Sequence, residues 1–266
     1  MAFAKPSPLG RALDLLAFTG LWPAAVAAGL VAACADVLVD APALGPRVVG
    51  MALAMGGTLV VYNVDRLRDI EGDRRTAPER SRFVDGHRES LAALAVASAG
   101  ACIPLAMMLP PPSWWVCAAA LGLGLFHRRL KGRRPGFAIF YVTLAWVAVV
   151  VGIPAAVFVQ DKAGIVTALL AASAVGPAIA ANLMASELRG EPHGPARRRR
   201  LRVAGAIALA GCLGVAGDPA TRPLLAIPLC ALASVAGFRN HERYGLLVLD
   251  GALFAGALAA MALSGA

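Results

Sequence analysis

Apolar residues fill this chain in long continuous runs, separated by short polar stretches rather than alternating with polar positions. Nine runs fall at about 12–35, 46–64, 89–109, 113–127, 137–159, 164–186, 201–217, 223–238 and 245–264. About 20 apolar residues in a helix cross the hydrocarbon core of a bilayer, so most of these runs are long enough to span one. The fourth, seventh and eighth are shorter. Continuous runs exclude a transmembrane β-barrel, whose strands alternate apolar and polar positions. The expected fold class is therefore all-α: one polytopic membrane helix bundle over residues 1–266, with about nine transmembrane helices around a central cavity. The first run is too long for the apolar core of a signal peptide and reads as a retained helix. Pro23, Pro104, Pro154, Pro177 and Pro228 lie inside runs, where a missing N–H and a fixed φ kink or interrupt a helix. Glycine and alanine abound within the runs and let helix backbones approach closely.

Composition agrees: 59% of the residues are hydrophobic, and the net charge is +9. With the N-terminus placed inside, every Lys and Arg except Arg47, Lys162 and Arg222 falls in an inner segment. That asymmetry orients the chain and accounts for the charge as topology and contact with anionic lipid, with no nucleic-acid partner. The localisation expected is a bacterial cytoplasmic membrane, with the polar site facing the cytoplasm. The basic stretches 127–134 and 197–200 read as topological in the same way. The five cysteines are scattered through the runs without metal-ligand spacing and read as small core residues. The histidines likewise lack ligand spacing.

Two short acidic segments depart from this pattern. After the second run stand Asp65, Asp69, Glu71, Gly72 and Asp73, followed by Arg74, Arg75 and Arg80. After the sixth run stand Glu187, Gly190 and Glu191. Asp69 and Asp73 are matched by Glu187 and Glu191, each 118 positions later. Four runs separate the segments, and an even number returns the chain to the same side. If the helix of the second run continues, Asp65, Asp69 and Asp73 fan over one face, since each step of four advances about 40°. Like charges at this spacing repel. A divalent metal relieves that repulsion, and Mg²⁺ suits one or two carboxylates completed by phosphate oxygens and water. The neighbouring arginines suit a diphosphate, which guanidinium binds through paired hydrogen bonds. The competing reading takes all of these as solvated loop charges. Asp250, a few residues into the last run, is an acid expected to face the bundle interior or to reach the inner interface.

The segment from Asn63 through Asp65, Asp69 and Asp73 to Thr76, together with Glu187-Leu188-Arg189-Gly190-Glu191, resembles the two motifs of the UbiA superfamily of intramembrane prenyltransferases. Phe140 to Trp146 is similar to that family's fifth helix. The register differs: Asn63 lies two residues before Asp65, where the family's Asn lies four before its first Asp. Val61 holds that place here. An alternative alignment puts Asp65 in the Asn place, and the second motif carries Glu at both acidic positions.

The resemblance implies Mg²⁺-dependent transfer of an isoprenoid group from an allylic isoprenoid diphosphate to a small-molecule or lipid acceptor within the membrane. It implies that Asp65, Asp69, Asp73, Glu187 and Glu191 hold the metal, and that Asn63, Arg74, Arg75 and Arg80 contact the diphosphate. Tyr62, Tyr141 and Trp146 would offer aromatic faces to an allylic cation, and Asp250 would orient the acceptor. Trp146 and Leu144 are expected deep in the cavity. Two alternatives stand beside this reading: a terpene cyclase using the same metal site, and a transporter or ion-binding membrane protein.

Overall fold

The computed structural model of the chain describes residues 8–39, 42–126, 135–188, 194–241 and 243–265. Those residues form helices and connecting turns, with no strand among them. In chain order the helices are α1 (Pro8–Phe18), α2 (Leu21–Leu38), α3 (Leu44–Arg68), α4 (Ile70–Thr76), α5 (Pro78–Gly86), α6 (Arg88–Met107) and α7 (Pro111–Leu125). There follow α8 (Pro135–Val147), α9 (Ile153–Phe158), α10 (Lys162–Glu187), α11 (Pro195–Val215), α12 (Ala226–Ala236) and α13 (Asp250–Ser264). A π-helical segment, Ala148–Gly152, joins α8 to α9, and another, Tyr244–Leu249, leads into α13.

Among the described residues six helical stretches are long and apolar enough to cross a membrane: Leu21–Leu38, Leu44–Arg68, Arg88–Met107, Phe137–Phe158, Lys162–Glu187 and Tyr244–Ser264. The three runs that looked short fall on α7, on the apolar part of α11 and on Arg222–Ala236. Exposed side chains such as Val96, Met107, Trp115 and Leu213 give the bundle an apolar outer surface, of the kind a lipid environment covers.

The first run is not one helix. Thr19 donates its hydroxyl hydrogen bond to the Leu15 carbonyl at 2.6 Å, and Gly20 takes a left-handed conformation with φ of 82°. A residue with a Cβ adopts that conformation only with strain, so Gly20 is the residue that lets α1 end and α2 start in a new direction. Pro23 then falls in the first turn of α2, where its missing N–H has no helical partner to lose. It starts this helix rather than kinking it. Pro154 and Pro228 similarly sit in the opening turns of α9 and α12, while Pro104 and Pro177 lie inside α6 and α10. Asp161 caps α10, accepting from the Gly164 N–H at 2.8 Å, which satisfies one of the donors a helix start leaves over.

The carbonyls at the end of α1 are taken up by α3. Asn63 Nδ2 donates to the Thr19 carbonyl at 3.0 Å and to that of Leu59 at 2.8 Å. The Arg66 guanidinium donates to the Phe18 carbonyl, and to that of Ala17 at 3.1 Å. Both side chains are buried. Three apart on α3, they share a face and close on α1 as a pair.

Packing then runs α3 on α6, α8 on α10, α10 on α11, α11 on α12, α12 on α13, and α13 back onto α2, which also packs on α3. With 72% of its residues buried, α2 is the most enclosed of the long helices. Its residues Val26, Leu30 and Val31 share a core with Val150, Val175, Ile179, Ile227 and Leu253. Small residues permit this density: a Cβ on Gly256 of α13 would lie 2.6 Å from the Ile227 Cα of α12.

Asn63→Ala removes a buried clasp at a residue that does not itself line the cavity described next. It should lower stability by roughly 1–2 kcal/mol, read as a lower melting temperature of the detergent-solubilised protein. An unchanged melting temperature would show that the Asn63–Thr19 bond contributes nothing.

Candidate functional site

The acidic stretch after α3 does not continue as one helix. α3 stops at Arg68, Asp69 leaves helical geometry with φ of −111° and ψ of 20°, and α4 begins at Ile70. The fan expected from an unbroken helix is therefore divided: Asp65 belongs to the last turn of α3, and Asp69 stands at the joint. Asp69 folds its carboxylate over α4, so close that a Cβ on Gly72 would lie 2.7 Å from Oδ1 and 3.2 Å from Cγ. The glycine in this segment thus has a packing reason. It leaves room for a carboxylate against the first turn of a helix, where the backbone dipole favours negative charge.

Asp65 and Asp69 line a cavity of about 1000 Å³, and Glu187 at the end of α10 lines the same cavity. The fold thus brings the first and second acidic segments to one chamber. Asp250 lines it too, as do Arg66, Arg80 and Arg200. Arg200, from the first turns of α11, pairs with Glu187 at 3.2 Å. Asn182, five residues before Glu187, donates from Nδ2 to Asp250 Oδ1 at 3.2 Å, so α10 and the start of α13 meet through a polar pair. Tyr141, almost fully buried, is within electrostatic reach of both Asp65 and Glu187. The two π segments flank the chamber as well: Trp146, Val149 and Ile153 line it around the first, and Gly245, Leu246 and Asp250 around the second. Such segments recur at functional sites, because the inserted residue shifts the side chains that follow.

Several expected residues take other places. Asn63 does not line the chamber; its amide donors are engaged by the carbonyls of Thr19 and Leu59. Arg74 also lies off the lining and pairs with Glu71 at 3.0 Å and Asp85 at 3.3 Å. Its role is to hold α4 to α5. Tyr62 lines the chamber, with the Arg66 guanidinium 5.4 Å from its ring centroid, so one face of that ring already meets a cation. Leu144 points outward, 48% exposed, whereas Tyr141 and Trp146 line the chamber. The side chains of Asp73 and Arg75, and Glu191 entirely, lie outside the described residues, as does the basic stretch 127–134.

Several polar lining residues were not among the candidates read from the sequence, among them Arg66, Asn182, Ser186 and Arg200. A signal existed for Asn182, an isolated amide in an alanine-rich membrane run, since polar groups there are costly and face the interior. Arg200 was hidden in a basic run that topology alone explained.

Among the described residues no three His, Cys, Asp or Glu side chains converge as a ready-made metal cage. The donor set fits a different mode. Mg²⁺ is held by one or two carboxylates and completes its octahedron with phosphate oxygens and water. Asp65, Asp69 and Glu187 offer such carboxylates around one chamber, with Arg80 and Arg200 able to meet phosphate. Comparison with family models, with curated proteins and with solved structures gives no match to this chain.

In a variant lacking the native cysteines, Asp69→Cys and Glu187→Cys should both react with a membrane-impermeant thiol reagent from the same side of sealed vesicles. Labelling from opposite sides would divide the chamber.

Proposed function

We propose that this protein is an intramembrane transferase of the UbiA kind. In this reading it moves an isoprenoid group from an allylic isoprenoid diphosphate to an acceptor dissolved in the membrane, with Mg²⁺ as cofactor. The observation that carries the reading is one chamber lined at one end by Asp65, Asp69, Arg80, Glu187 and Arg200 and elsewhere by apolar side chains of α3, α6, α7 and α8. A charged head and a hydrocarbon tail are what such a chamber suits. The reading takes the nine apolar runs as nine spans with the N-terminus inside, which puts both acidic segments on the cytoplasmic side.

The residues divide the work as follows. Arg80 and Arg200 bind phosphate oxygens of the substrate through charge-assisted hydrogen bonds. Charge neutralisation on the leaving diphosphate is what Mg²⁺ held by Asp65, Asp69 and Glu187, with Asp73 and Glu191, supplies when bound. As the C1–O bond breaks, the electron pair leaves with the diphosphate and C1 becomes cationic. Tyr141 and Trp146 present aromatic faces to that charge, and the apolar walls exclude water that would otherwise capture it. Asp250, held by Asn182, positions a polar group of the acceptor, which forms the new bond to C1 and gives up a proton.

Incubation of the purified protein with Mg²⁺ and isoprenoid diphosphates should release diphosphate and yield a prenylated lipid. A cyclic hydrocarbon product would identify a cyclase instead, and ion flux through reconstituted vesicles without turnover would favour a transporter. Asp69→Asn and Glu187→Gln should each lower diphosphate release about 100-fold, the scale at which a positioned electrostatic group acts, with the melting temperature little changed. Gly72→Ala should also depress it, because the new methyl displaces the Asp69 carboxylate even as alanine strengthens the helix. Loss of folded protein in place of loss of turnover would reassign these acids to structure.

A further inference from the structure

The chamber carries a measure of depth along α3. Asp65 at its acidic end and Leu53, the lining residue of α3 farthest from it, stand twelve residues apart on one unbroken helix. At 1.5 Å per residue that is about 18 Å. Leu53 is buried together with Ile153 and Leu109 in one apolar cluster; of these three, Leu53 and Ile153 line the chamber, joined there by Cys102, Ala106, Cys117 and Val149 packed against them. The lining includes small residues, among them Gly57, Ala99 and Ala120, beside larger ones such as Val60, Leu121 and Trp146. Gly57 stands eight residues from Asp65, about 12 Å below it on the same helix, and a Cβ added there meets nothing within 4 Å. The space beside Gly57 is open.

We propose that this depth is a chain-length gauge, with Leu53 and Ile153 as its floor, and that the chamber selects isoprenoid diphosphates of three to four isoprene units. The inference rests on the function proposed above. Each isoprene unit adds four chain bonds of about 1.5 Å, so an extended unit advances roughly 5 Å. Three units reach the floor from a head group held at Asp65, a fourth fits with a bend, and a six-unit tail overruns it. The small residues along the wall leave the width that a methyl-branched chain needs.

The test is equilibrium binding of two-, three-, four- and six-unit isoprenoid diphosphates, with Mg²⁺, to the purified full-length protein in detergent, followed by identification of the products. The three- and four-unit ligands should bind at least tenfold more tightly than the six-unit one. Gly57→Phe fills the open space and raises the floor to about 12 Å, so the preference should move to two units. Leu53→Ala combined with Ile153→Ala should admit six units with at least a tenfold gain. If that pair fails to fold, Gly57→Phe decides alone. Equal binding of all lengths, unmoved by the substitutions, would overturn the gauge while leaving the transferase reading intact. Absence of binding at every length would overturn both.

Discussion

Everything at the acidic end of this bundle depends on how the end of α1 is satisfied. Carbonyl groups at a helix C-terminus have no partner within the helix, and in apolar surroundings each open one is costly. Gly20 turns the chain there, and Asn63 and Arg66 supply donors to Ala17, Phe18 and Thr19. Because both donors belong to the last turns of α3, the same contact sets the rotation of α3 about its own axis. That rotation sends Asp65 into the chamber while Asn63 faces α1. Arg66 takes part in both, bonding α1 and lining the chamber. A second tie reinforces the first: Arg243 pairs with Asp14 of α1 at 3.0 Å and with Glu79 of α5 at 3.3 Å, and Phe18 packs with Leu246 and Phe83. First, middle and last segments of the chain are therefore fixed to one another where the carboxylates gather.

The chamber itself uses local breaks in helical regularity. Asp69 faces inward because α3 stops one residue before it, and its carboxylate fits because residue 72 has no side chain. Asp250 follows directly on a π segment, and Trp146 comes just before the other. A regular helix through Tyr244–Leu249 would aim Asp250 differently, since each residue turns the helix by about 100°. Asp69 and Asp250 thus enter the cavity where regular geometry lapses, whereas Asp65, Tyr141, Asn182 and Glu187 reach it from regular helices.

The apolar runs made the helical class legible, and counting runs put both acidic segments at one end, where Asp65, Asp69 and Glu187 now share a cavity. What escaped the reading has physical reasons. The break at Gly20 lies in a run that is apolar on both sides, so hydropathy carried no mark of it and only the Thr-Gly pair did. The fan of three carboxylates assumed a continuous helix, whereas the chain turns at Asp69. Asn63 was given to the diphosphate through resemblance to a family motif, yet an amide in an apolar helix must find partners, and backbone carbonyls were nearer. Arg74 and Arg200 came from arginine-rich stretches that topology explains as a whole. Such stretches show no difference between a residue that pairs across α4 and α5, as Arg74 does, and one that reaches a chamber, as Arg200 does.

Charge placement bears on which chemistry the chamber suits. Its charged lining residues are Asp65, Arg66, Asp69, Arg80, Glu187, Arg200 and Asp250, from the end of α3, the joint after it, α5, the end of α10, the first turns of α11 and the start of α13. Beyond Gly57 toward Leu53 and Ile153 the described lining is apolar or weakly polar, with Cys102 and Cys117 among it. At the other end of the bundle Asp36 and Arg47 pair with each other at 2.7 Å, with Met261 sulfur 3.5 Å from the same guanidinium, and neither charge lines the chamber. An ion crossing this protein would have to leave the carboxylates and pass about 18 Å of wall along α3 with no charged group to replace its water. A hydrocarbon tail meets the opposite balance: its burial against that wall is favourable, while its charged head stays among the arginines and carboxylates. The separation of charge from depth therefore supports an amphiphile as the occupant.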